Sequence, residues 1–548
     1  MKLKRIIIGL AAGMLFTACN TDIEQDRQMS SNIFWKSSDD VYRALMGCYA
    51  YTPQDVYGAY EDGYADIVYC QYPWESNATI ISAGNFNDGM NDGYNFRGIR
   101  RFNYFLDNVD KATMDEQTRK QSIAEVRVLR AWYYYEFIKK FGAMPLFKKY
   151  ITEADEAKVV PTSEEEIKNF VISEIEEAIA DLPEYPSQKS RIGKAAALAI
   201  KSRIHLFYNE YAQAAAASKQ IMGMNYSLFK VNNLTANDKK DDYSQLMTFS
   251  SEPEKEKFLK GLRSYEQLFW EQNKENSEVI FNVEYIKDHW NGIGRFFLPT
   301  NVYGGWASIT PTNNLIIQYW DKNGKEFKSP SVNERAERFK KGAEQGNWNE
   351  YLKEFKDRDT RLYATVLFPQ APWAAGMGEG VKFEWKNQGN ASNTSKTGYN
   401  FRKLVDPTDP TYVKMGIQDF PEIRLAEVLI TFAEAQNEAS GPSDEVYNAI
   451  NKLRERVGMP NVESGKSKEE LRKIIRQERC IELAGEGFRW DDVRRWDISS
   501  KVMNDLFAIN GGSVQQRNWE PRFKRLPYPR AAIDRNPNLE AAQKAKGY

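Results

Sequence analysis

The stretch RQERCIELAGEGFRWDDVRRW, residues 476–496, decides how this chain is read. Leading into it, Leu471, Ile474, Ile475, Glu478, Ile481 and Glu482 recur at helical spacing, so two carboxylates share a face with the aliphatics. An acid on an apolar stripe needs a partner, because an unpaired buried charge is costly. Arg489, Arg494 and Arg495 follow, interleaved with Trp490 and Trp496, and are the expected partners. Gly485 and Gly487 allow the backbone to turn, so that this Arg/Trp arm can fold back on the helix. Such a cluster can be a general acid/base site or an ion-pair clamp that seals a helix array. No nucleophile or metal-ligand pattern lies beside it, so a clamp is expected.

Composition narrows the remaining choices. The 548 residues allow one large domain or two to three ordinary ones, and 42% hydrophobic residues are enough for a substantial core. Lys+Arg 75 against Asp+Glu 76 implies no nucleic-acid partner. His205 and His289 are the only histidines, which argues against histidine catalysis and most zinc sites. No G-x-S-x-G elbow, H-E-x-x-H or complete P-loop is present. A glycosidase needs only two carboxylates at a suitable separation, which a chain with 76 acids does not exclude. Asp406, Asp409 and neighbouring carbonyls are oxygen donors of the type a structural calcium takes, but too few to define a site. No cofactor is expected.

At the N-terminus Lys2, Lys4 and Arg5 precede the apolar run Ile6–Phe16 and then Thr17-Ala18-Cys19. This is a secretory signal, residues 1–18, too short to span a bilayer. A cysteine directly after Ala18 makes it a lipoprotein signal, with Cys19 lipidated as the mature N-terminus. Phe16 stands where such signals usually have Leu, with Leu15 one place off. Residues 19–31 are polar and aperiodic and read as a tether. Of the other cysteines, Cys48 and Cys480 lie in helical patterns, and a Cys48–Cys70 bridge is left open.

Along the chain, Ser37–Asp40 caps a helix whose inner face is Val41, Leu45 and Cys48. Helices follow over 92–110, with Asn103 turned inward as a buried hydrogen-bonding residue, and over 118–140. Three more lie within 162–222; the last two, alanine-rich, resemble a tetratricopeptide-type hairpin. A second such hairpin occupies 421–457, its turn at Gly441-Pro442. Between them, 225–414 reads as helix-poor, with strand-like pieces at 278–285 and 360–368 and most of the irregularly placed aromatics.

Several of these blocks carry a family likeness. E-R-x-x-E-L-x-x-E-G-x-R-W-x-D at Glu478–Asp492 resembles the C-terminal signature of the SusD/RagB family, surface lipoproteins that capture nutrients for outer-membrane transporters in Bacteroidetes. E-x-R-x-L-R-A at Glu125–Ala131, F-G-x-x-P-L at Phe141–Leu146, P-T-N-N-L at Pro311–Leu315 and the proline-rich ending Leu526–Leu539 match in the same order. Asp22, Glu24 and Asp26, just after Cys19, loosely resemble the surface-export signal of such lipoproteins. The resemblance implies a mainly α, SusD-like fold over 32–548. Degenerate tetratricopeptide-like hairpins, mainly within 32–222 and 421–496, would form the scaffold, with a loop-rich, strand-poor ligand region inserted at about 225–414.

Two aromatic loops are the candidate ligand site. The axial C–H groups of a sugar ring make an electropositive apolar face that complements an aromatic ring, each contact adding ~0.5–1.5 kcal/mol by analogy with ring pairs. Tyr72, Trp74, Asn77 and Phe86 lie in the first loop, which in the family precedes a helix and contributes to ligand binding; Asn87 stands beside them. Trp290, Arg295, Phe296, Tyr303 and Trp306 lie in the second, with Asn291. Trp373 and Trp385 sit in a third loop. The family model implies a non-catalytic, lipid-anchored protein facing outward from the outer membrane, handing oligosaccharides to a SusC-like TonB-dependent transporter. The rival readings are a peptide-capturing RagB-like member, a scaffold that binds no ligand, and an enzyme.

Overall fold

The computed structural model describes residues 34–52, 58–239, 243–299, 304–373, 381–385, 393–406 and 415–548. The signal segment, Cys19 and the tether, together with Tyr303 and Asp409, lie outside these residues.

Serine and aspartate caps start most of the long helices, accepting the first free N–H groups of each. Ser37 caps α1 (Ser38–Tyr49) with Asp40 completing a capping box. α2 (Arg97–Leu106) is shorter than the 92–110 expected. Gly93 at φ +79° breaks the chain, and Asp92 is engaged by the Tyr64 hydroxyl. Asn103 is buried on α2, donating to the carbonyls of Phe147 and Lys149 and accepting from Arg130. α3 (Glu116–Phe141), capped by Asp115, and α4 (Glu164–Ile179), capped by Ser163, follow. The alanine-rich pair α5 (Lys194–Phe207) and α6 (Tyr211–Met222) comes next.

The second hairpin is α10 (Leu425–Ser440) and α11 (Asp444–Arg456), followed by α12 (Lys468–Glu482) and α13 (Arg489–Arg495). Successive packing of α3 on α4, α4 on α5, α5 on α6 and α6 on α10 makes one stack out of segments two hundred residues apart. Ala214, Ala215, Ala217 and Ser218 are buried on α6, the small side chains that let neighbouring helices approach.

The middle of the chain is less poor in helix than its pattern suggested. α7 (Glu252–Glu266), α8 (Val332–Gln345) and α9 (Thr360–Thr365) lie there. The S-x-x-E boxes at 251–254 and 331–334 announce the first two. Residues 360–365 are helical, not extended, because the Asp359 side chain takes the Arg361 N–H. The strands are short antiparallel pairs: β1 (Val68–Cys70) with β3 (Ile309–Pro311), β2 (Val279–Val283) with β6 (Phe420–Arg424), β4 (Val366–Leu367) with β5 (Asn400–Phe401), and β7 (Leu506–Phe507) with β8 (Ser513–Gln515). Residues 421–424, expected to open the second hairpin helix, are instead held extended by β2.

Glu478 and Glu482 of α12 are buried in an ion-pair network, but their partners differ from those expected. Glu482 meets Arg424 at 2.8 Å, Arg361 at 3.2 Å and also Arg456, while Glu478 meets Arg361 at 2.7 Å. Glu486 closes on Arg424 at 2.7 Å and Lys403 at 2.6 Å. Gly485 and Gly487 adopt φ +83° and +88°, and a Cβ at Gly487 would meet the Gly58 carbonyl at 2.7 Å. Past that turn the arm does fold back on α12, with Asp492 on Arg479 at 2.9 Å and Trp496 under Arg476, but its arginines take other acids. Arg489 pairs with Asp66 at 2.7 Å, Arg495 with Glu434 at 2.6 Å, and Arg494 with Asp491 at 2.5 Å. Cys48, Cys70 and Cys480 are buried free thiols; burial pushes Cys48 and Cys480 up to about 12.

Asp491 also meets Lys139 of α3 at 3.0 Å. Burial works against its ionisation, yet Lys139 and Arg494 outweigh burial and hold the carboxyl at about 2. A depressed carboxylate pKa adds stability above its unfolded value of about 3.9, lost as the pH falls through the folded value. Asp491→Asn is therefore expected to cost about 2–3 kcal/mol at neutral pH in urea denaturation. The gap between the two proteins should close between pH 4 and 2.

Candidate functional site

The two aromatic loops, more than two hundred residues apart in sequence, meet through β1 and β3. The register pairs Val68 with Pro311, Tyr69 with Thr310 and Cys70 with Ile309, and the Gln71 N–H extends the ladder to the Ser308 carbonyl at 3.0 Å. The Gln71 amide then donates to the carbonyls of Trp306 and Ala307 at 3.0 and 2.9 Å. Ala307 sits at φ +49°, a left-handed conformation that a residue with a Cβ adopts at a cost of about 1–2 kcal/mol. The Gln71 amide holds that turn, and with it the orientation of Trp306.

Two aromatic groups flank this junction, joined through the Tyr72 hydroxyl and the Trp306 carbonyl. Tyr72 and Trp74 stack at 4.8 Å, and Trp74 is 77% exposed. The Tyr72 hydroxyl donates to the Asn393 side-chain oxygen at 2.7 Å and accepts the Asn393 N–H at 2.8 Å. It also lies 3.3 Å from the Trp306 carbonyl. The Arg295 guanidinium lies between two indoles, 4.8 Å from the Trp290 ring and 4.8 Å from the Trp306 ring. Trp290 is exposed and Trp306 half-buried. Below them Phe296 is buried, edge-on to both Trp306 and Tyr60.

Other candidates fall elsewhere. Phe86 stacks on Phe523 at 4.4 Å and so plugs the C-terminal segment against the fold. The Asn77 amide donates to Asp92 at 3.3 Å, and Asn87 bonds within its own turn. Asn291 is buried, donating to the Gln418 carbonyl. Trp373 is buried and Trp385 packs on Phe339. Asp406 accepts the Glu271 N–H at 2.9 Å, and among the described residues no cluster of three or more acids, cysteines or histidines is arranged to hold a metal. Gln71 and Asn393 escaped sequence reading, since a lone polar residue in a loop carries no periodic signal.

The clamp positions this surface. The Asp62 side chain accepts the N–H groups of Gly485 and Arg489, and Tyr64 meets Trp490 edge-on at 5.1 Å. Asp66 takes the Arg489 guanidinium, while its carbonyl accepts the Thr312 hydroxyl at 2.7 Å. The segment leading into β1 is thus pinned on one side to α13 and on the other to the end of β3. A separate groove of about 920 Å³ lies between α2, residues 145–158 and residues 529–539. Its rings, Tyr94, Phe96 and Phe147, are engaged with one another.

The chain belongs to the SusD family. Residues 277–548 match the family model described as "SusD family", and residues 22–206 match one described as "Starch-binding associating with outer membrane". A SusD-like protein of Formosa agariphila is 24% identical over 565 residues, 97% of each chain. The starch-binding protein SusD of Bacteroides thetaiotaomicron is 24% identical over 488 residues, 80% of this chain and 75% of that one. Among solved structures, a SusD-like protein from Bacteroides fragilis superposes with a TM-score of 0.76 at 23% identity, covering 94% of this chain and 98% of that one. A laminarin-binding SusD-like protein gives 0.64 at 19% identity, covering 92% and 98%. The mainly α architecture with its tetratricopeptide-like hairpins is the SusD fold.

Removing the Tyr72 hydroxyl leaves its partners on Asn393 and Trp306 without it. Tyr72→Phe should lower the unfolding free energy by about 1–2 kcal/mol in chemical denaturation while keeping the ring stack.

Proposed function

We propose that this protein captures glycans at the cell surface without chemically altering them. It would be anchored in the outer membrane through lipid on Cys19 and would deliver oligosaccharides to a SusC-like TonB-dependent transporter. The observation that carries the reading is the Tyr72–Trp74 stack beside the Trp290–Arg295–Trp306 stack, with the Trp74 ring 77% exposed. A tryptophan serving only as a loop plug would bury that face, as Trp373 does. Tyr72, Trp74, Trp290, Arg295 and Trp306 would make the contacts. Phe296 packs beneath Trp306, Phe86 packs on Phe523 away from this surface, and neither would touch ligand.

Family membership supports the reading, as do relatives whose names record starch and laminarin binding. The capture role asks for no catalytic constellation. The buried acids Glu478, Glu482 and Glu486 are each matched with cations, as a structural clamp requires.

Affinity electrophoresis of the purified full chain against a polysaccharide panel tests the proposal, with the eluates inspected for cleavage. One class of glycan should retard the protein unchanged. Trp74→Ala should weaken that retention tenfold or more, with unfolding free energy within about 0.5 kcal/mol of wild type, because the ring is exposed. Cleavage products, or full retention by the variant, would contradict the proposal.

A further inference from the structure

Arg295 is the one member of the aromatic surface that carries a charge, and its setting differs from that of the guanidiniums buried elsewhere. Arg203, Arg361, Arg424, Arg456 and Arg489 all meet carboxylates within 3.2 Å. Arg295 is half-buried, stacked at 4.8 Å from each of two indoles, and its guanidinium has no carboxylate or hydrogen-bond acceptor among the described residues. Glu75, next to Trp74 in sequence, is engaged by the Tyr60 hydroxyl at 2.7 Å.

With its guanidinium carbon over two indole rings and no acceptor beside it among the described residues, Arg295 has N–H donors left for polar contacts with a ligand. That fork matches the two oxygens of a carboxylate or sulfate group, and a charge-assisted bond of this kind is roughly twice as strong as a neutral one. The indoles also restrict the side chain in the free protein, so less freedom is lost on binding. A neutral hydroxyl would satisfy a donor but leave the charge unmatched.

We propose that the glycan taken at this surface is anionic, with a uronate carboxylate or a sulfate ester seated on the edge of Arg295 while a neighbouring sugar ring lies on Trp74. This rests on the glycan-capture reading and narrows it to one class of ligand.

The test uses the full chain with paired polymers. The acidic set is polygalacturonate, alginate, hyaluronan, chondroitin sulfate and carrageenan; the neutral set is starch, laminarin, xyloglucan and mannan. At least one acidic polymer should be retained. Carboxyl reduction or desulfation of that same polymer should weaken retention at least tenfold, and which treatment does so identifies the group. Arg295→Gln should lose affinity to the same extent for the untreated polymer and nothing for the treated one, while Arg295→Lys recovers part of it. Raising the salt concentration should weaken binding of the acidic polymer. Should Arg295→Gln disturb the indole stack, the treated polymers on the wild-type chain still decide the matter. Retention of neutral polymers alone, with Arg295→Gln unaffected, would overturn this inference and leave glycan capture standing. Retention of nothing would remove both.

Discussion

The Arg489–Asp66 pair is the contact on which the ligand-facing half of this protein depends. It joins a guanidinium to a carboxylate 423 positions away in the chain, at 2.7 and 2.9 Å and away from solvent. A buried pair of this sort contributes little net stability, but losing one partner is costly, so it selects a single arrangement of the chain. The arrangement it selects sets Asp66 against Thr312, which aligns β1 with β3 and so brings the two aromatic loops together. The same arm reaches α10 through Arg495 and α3 through the Lys139 carbonyl. Scaffold and site therefore share one set of charges.

Rigidity at the foot of the loops explains how an exposed tryptophan can be held ready. The left-handed turn at Ala307 is kept by the Gln71 amide, and the Tyr72 hydroxyl is fixed by Asn393, itself at φ +67°. Backbone strain of this kind persists only where surrounding contacts over-determine it, and it gathers at functional sites. Here it lies directly beneath the ring stack. The network around Glu482 does the equivalent for the scaffold, joining α9, α11 and α12 to the end of β6.

Much of the scaffold was legible in the sequence because its signals are local. Ser37 and Ser163 mark helix starts through short-range hydrogen bonds, and the alanine pattern of 194–222 marks a close-packed pair. The need of Glu478 and Glu482 for cations was legible too, from burial alone. Which cations answered it was not: Arg361 and Arg424 lie 117 and 58 positions away, and periodicity carries no information over such spans. The strand at 420–424 was missed for the same reason, since its extended form is imposed by β2 and not by its own residues. The aromatic loops stood out by composition. Their union did not, because three-residue strands leave no alternating pattern to read. Phe86 and Trp74 look alike in sequence; only the fold puts one against Phe523 and the other in solvent.

The central claim is that Tyr72–Trp74 and Trp290–Arg295–Trp306 form a single glycan-binding surface. A crystal structure of the full chain with an oligosaccharide cut from the polymer it retains would test this most directly. The account predicts a sugar ring lying flat on Trp74, with the same chain of sugars reaching Arg295. An oligosaccharide bound instead in the groove between α2 and residues 529–539, with the Trp74 face bare, would contradict it.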